Sequence, residues 1–116
     1  MTQKAHPLGF EIVDGQLHGS LRVGIRIKGH LHKNFVMREA LVEDLLAAEE
    51  EASVTQPLAF NAQLMTLQLV RVGDFEGPFM LEQLSKLKPA DWRTLRAAQS
   101  ELDLLGEADS ASEEVS

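Results

Sequence analysis

Leu21, Val23, Ile25 and Ile27 alternate with Arg22, Gly24, Arg26 and Lys28, the period-two pattern of a strand with one face in a core and one in water. Phe10-Glu11-Ile12-Val13 is a shorter strand candidate, and Asp14-Gly15 between the two is a hairpin-type dipeptide. After Gly29, residues His32 to Met37 supply a third strand. Three strands in this order form an antiparallel meander, whose apolar face needs helices to cover it.

From about Glu39 to Ala52 the period becomes helical. Leu41, Val42, Leu45, Leu46 and Ala48 fall on one side, expected to face the core, and Glu43, Asp44, Glu50 and Glu51 on the other, expected to face solvent or a basic partner. Pro57 suits the first turn of a second helix running to about Val72 and stopping near Gly73. Its apolar residues Leu58, Phe60, Leu64, Met65, Leu67, Leu69 and Val70 occupy more than one face, so it is either buried on several sides or part of an interface. A Gly-Pro loop follows over 73–78. Met80, Leu81, Leu84 and Leu87 then make a short amphipathic helix. Pro89 opens another, striped by Trp92, Leu95, Ala98, Leu102 and Leu105 and ending at Gly106.

The fold expected is therefore α+β, a small N-terminal antiparallel β-sheet of about three strands followed by a helical layer of about four helices. The length of 116 residues gives one domain, placed over residues 1–106 with 1–9 flexible. Residues 107–116, EADSASEEVS, are acidic and poor in apolar side chains, the composition of a disordered tail.

Charge is distributed unevenly. Through Arg38 there are six Lys or Arg against two acids, and beyond it five against sixteen, for a net charge of −7. The two halves can pair within a fold or between copies, or stand as solvated faces of both signs. With no cysteine, disulfides, thiolate metal sites and cysteine nucleophiles are excluded. The N-terminus lacks the apolar core of a secretory signal, and Pro57, Asn61, Gln63, Thr66 and Gln68 interrupt the longest charge-free run. The expectation is a cytoplasmic protein without a membrane span.

Catalytic chemistry finds little footing. His30 and His32 share a face of an extended segment, but two imidazoles do not make a metal site, and surface or turn histidines beside Gly29 are the plainer reading. The carboxylates cluster on one helix face and in the tail, and no serine has a nucleophile-elbow context. No glycine pattern cradles a phosphate. The expectation is a non-enzyme with no metal and no cofactor. Arg22, Arg26 and Lys28, with Lys33 nearby, make a basic stripe without an exposed aromatic platform, which reads as a soluble outer face rather than a nucleic-acid surface.

Apolar and aromatic residues in the second half are the better candidates for contact with a partner protein. Leu58, Phe60, Leu64 and Leu67 lie on the charge-poor helix, Phe75 and Phe79 in and after the loop, and Trp92 at the start of the last helix. Aromatic side chains dominate binding hot spots, although Trp92 at helical spacing from Leu95 and Leu102 also fits a core.

Three segments, in order, resemble a known family. Met37-Arg38-Glu39-Ala40-Leu41-Val42-Glu43-Asp44-Leu45-Leu46-Ala47-Ala48-Glu49, followed by a Gly73-Asp74 loop and the Pro89-Ala90-Asp91-Trp92 helix start, resembles the small tail assembly chaperones of Mu-like and related tailed phages. Ala40 and Leu41 stand where Pro and Thr are common there, so Asp44 lacks its usual capping companion. The resemblance implies a protein that binds the tape measure protein, keeps it soluble before the tail tube forms around it, and then departs. It also implies a longer frameshifted form of the chain as a further partner, beside self-association. A structural component of the finished tail, and an acidic decoy for a nucleic-acid-binding host protein, are the alternative functions.

Overall fold

The front of the molecule is built on two tight turns. In the computed structural model, which describes residues 7–53 and 55–115 and the side chains of these through Gly106, Asp14 and Gly15 have φ of 52° and 80°, and Lys28 and Gly29 have 52° and 84°. Positive φ at both central residues is what a two-residue hairpin turn requires. The turns join β1 (Glu11–Val13), β2 (Gln16–Ile27) and β3 (His30–Met37). All pairings are antiparallel, and the order across the sheet is β1-β2-β3-β4.

The fourth strand, β4 (Leu69–Val72), corrects the expectation of three strands and of a helix running to Val72. The preceding helix ends at Gln68, and the chain turns out to pair Phe35 with Val72, Val36 with Arg71 and Met37 with Leu69. Leu69 and Val72 are buried and Arg71 is exposed. The two buried residues lie three positions apart because the register shifts between Val36 and Met37, so the strand lacks a period-two pattern, and the apolar content of the helix continues into it without a break.

The simple alternation expected along β2 is also interrupted. Ser20 pairs with Asn34 but Ile25 pairs with His32, so extra residues bulge out between them. Val23, expected in the core, is exposed, whereas Leu21, Ile25 and Ile27 are buried as expected. Gly24 has φ of 113°, and a Cβ there would lie 2.8 Å from the His32 carbonyl oxygen. The bulge therefore requires glycine at this position.

Four helices follow: α1 (Val42–Glu51), α2 (Pro57–Gln68), α3 (Leu81–Ser85) and α4 (Pro89–Val115). Leu95, Ala98 and Leu102 of α4 are buried with Leu17, Ile25, Phe35 and Met37 of the sheet, Met65 of α2 and Val72 of β4 in one core cluster. The backbone of α4 passes through Gly106, where its end was expected, and reaches Val115. Of residues 1–9, expected to be flexible, 1–6 lie outside the described residues, as does Ser116 at the end of the expected tail.

The orientation of α1 is the main departure from expectation. Asp44, Ala48 and Ala52 are buried, while Leu41, Val42, Leu45 and Leu46 are exposed. The helix packs on α2 with this Asp-Ala-Ala stripe, at i, i+4 and i+8 and ending at the C-cap Ala52, turned inward and its leucines outward.

Candidate functional site

Two first-turn aspartates hold the helical layer in place. Asp91 of α4 is fully buried, and its carboxylate accepts the backbone N–H groups of Arg22, Val23 and Gly24 at 2.7, 3.0 and 2.9 Å. These are donors of the β2 bulge, where the strand ladder is interrupted. A carboxylate is the acceptor suited to three converging N–H groups, and it ties the start of α4 to the sheet.

Asp44 does the corresponding work in α1. Arg38 donates to it through both terminal nitrogens, at 2.8 and 2.9 Å, and the Leu41 N–H donates at 2.8 Å. The Leu41 side chain has no acceptor, so only the reciprocal half of a capping box is present. The paired guanidinium holds the Asp44 carboxyl below the ordinary carboxylate range, against the opposing effect of burial, and the Leu41 N–H helps. Arg38 is correspondingly raised, chiefly by its hydrogen bonds to Asp44.

A second chain of polar contacts joins this corner to the core helices. Arg38 donates its backbone N–H to the Gln68 carbonyl, and Gln68 Nε2 donates to the Arg38 carbonyl, both at 2.9 Å. Gln99 Nε2 donates to Gln68 Oε1 at 2.8 Å, and Arg96 donates to Gln99 Oε1 at 2.6 Å. Gln68 and Gln99 are buried. Among the described residues no buried side-chain nitrogen or oxygen lacks a hydrogen-bond partner, which makes the network a rigid frame.

The seven candidate contact residues are not gathered into one patch. Leu64 and Phe79 are buried, Phe60, Phe75 and Trp92 are half-buried, and Leu58 and Leu67 are exposed. Phe75 packs edge-on against Phe79, with ring centroids 5.2 Å apart. Leu58 and Trp92 do meet, across a groove of about 470 Å³ between α2, α3 and the start of α4. Ala59, Ala62, Leu81, Leu84 and Leu87 complete its apolar walls with Ser85 and Pro89, and no charged side chain lines it. Trp92 thus serves the core and the groove at once.

Sequence reasoning found Leu58 and Trp92 but missed Ala59, Ala62 and the α3 leucines as their neighbours. Small alanines open the groove, and a short helix with apolar residues on both sides was the available signal. His32 is half-buried and His30 exposed. Among the described residues no three His, Cys, Asp or Glu side chains are grouped as a metal site would need. No helix among them is long and apolar enough to cross a membrane.

Comparison with known proteins bears on what this surface serves. The family model described as tail assembly protein gp41, of Mu type, matches residues 21–115. No curated protein and no solved structure matches the chain. The match takes in the bulge, Asp44 and Asp91, so the two anchoring aspartates lie within the family's extent.

Proposed function

The chain belongs to the Mu-type gp41 family of phage tail assembly proteins, and from that premise we propose that it is a non-enzymatic chaperone that binds the tape measure protein and keeps it soluble in the host cytoplasm until the tail tube forms. The observation that supports this reading is the uncharged apolar groove between Leu58 and Trp92. Its walls leave an apolar helix of a client free of any unpaired charge, and binding grooves for amphipathic helices have this character. Leu58 is 68% exposed, a degree of exposure that favours a contact residue over a core one.

Co-expression with the tape measure protein encoded in the same genome tests the reading. A soluble tape measure protein that co-purifies with this chain is the expected result. An insoluble, unbound one would overturn it. Mass spectrometry of purified phage particles separates the chaperone from a structural tail component: the chaperone is absent from the particle, and a component is present.

A further inference from the structure

The uneven charge along the chain becomes two complementary surfaces in the fold. On α1, Val42, Leu45 and Leu46 form an exposed stripe at i, i+3 and i+4, begun by Leu41. By helical spacing Glu43 and Glu50 border one side of it and Glu49 closes its C-terminal end, all three exposed. No basic residue occurs in the helix.

Elsewhere, β2, β3 and α3 wall a groove of about 530 Å³. Its apolar lining includes the exposed Val23 and Leu31 and the half-buried Phe75 and Leu87. Around these stand Arg26, Lys28, Lys86 and Lys88, all exposed, against a single acid, Glu82. One surface is an apolar ridge with an acidic border. The other is an apolar groove with a basic border.

A molecule cannot bring its own two surfaces together, because Asp44 is paired with Arg38, Arg38 with Gln68, and α1 packs on α2, whereas the basic groove is walled by β2, β3 and α3. We propose that α1 of one copy docks its leucine ridge into the basic groove of a second copy. Different patches meet on the two partners, so the contact is head-to-tail and each copy keeps one ridge and one groove free for the next. The occupant follows from charge complementarity present on the chain itself, and the inference does not depend on the identity of the client in the Leu58–Trp92 groove.

Sedimentation of the full chain over a range of concentrations tests it. At low salt the average mass is expected to rise with concentration, and at high salt to fall toward the monomer, because exposed charges are screened. Glu49→Lys with Glu50→Lys, and separately Lys86→Glu with Lys88→Glu, change exposed side chains and should each abolish the larger species while leaving the circular dichroism spectrum unchanged. An equal mixture of the two variants again pairs opposite borders and should restore them. A wild-type chain that stays monomeric at low salt, or an association that survives both reversals, would overturn the proposal.

Discussion

Helices α1 and α4 begin alike and end up opposite. Each carries a buried aspartate in its first turn that accepts backbone N–H groups, Asp44 from Leu41 and Asp91 from Arg22, Val23 and Gly24. Yet α4 buries its apolar stripe of Leu95, Ala98 and Leu102, whereas α1 buries Ala48 and Ala52 beside Asp44 and exposes its leucines. The difference shows that an amphipathic pattern identifies a helix and its faces, while anchors of other kinds decide which face turns inward. Here an arginine paired with Asp44 and two small alanines bury the Asp44–Ala48–Ala52 side of α1, while its glutamates and leucines stay exposed. In the proposed head-to-tail contact, this outward leucine face is what meets the second copy.

The sharpest way to break the comparison is at its shared device. Asp91→Ala leaves three N–H groups of the bulge without their acceptor and should destabilise the fold by roughly 3–5 kcal/mol in chemical denaturation. A loss below about 1 kcal/mol would mean that the bulge re-pairs without Asp91. Leu102→Ala, in the buried stripe of α4, should cost about 2–4 kcal/mol through lost burial and a residual cavity.

Asp44→Asn should cost roughly 2 kcal/mol at neutral pH, since it weakens charge-assisted hydrogen bonds to Arg38. It also carries a pH signature. Because the folded-state pKa of Asp44 is depressed, the stabilisation it provides is complete above the unfolded carboxylate value of about 4 and is lost as pH falls through the lower folded value. The wild type should therefore lose stability over that acid range more steeply than the variant, as urea midpoints at successive pH values would show. The smallest effect belongs to the exposed stripe. Leu46→Ser should change stability by no more than about 0.5 kcal/mol, and a loss comparable to that of Leu102→Ala would place the α1 ridge in the core.

The parts of the fold legible in the sequence are those in which side-chain period and burial coincide. The Asp14-Gly15 turn, the Leu21, Ile25 and Ile27 face of β2 and the α4 stripe all follow from local pattern and turn chemistry. β4 escaped because Leu69 and Val70 extend the apolar character of α2, and only pairing with β3 makes Leu69–Val72 a strand. Val23 escaped because the bulge donates its N–H groups to Asp91, a residue far along the chain. For α1, Asp44, Ala48 and Ala52 at four-residue spacing were visible, but an aspartate on the inner face makes sense only once Arg38 is found beside it. Of the candidate surface, Leu58 and Trp92 were legible as apolar residues with contact potential, while the groove between them is a tertiary feature built with α3.

The central claim is that the Leu58–Trp92 groove receives the tape measure protein. Its most direct test is co-expression of that protein with the wild-type chain and with Leu58→Asp, a substitution at an exposed position that should leave folding intact. The account predicts a soluble, co-purifying tape measure protein with the wild type and an insoluble one with a folded Leu58→Asp chain; equal solubility and equal capture by both chains would contradict it.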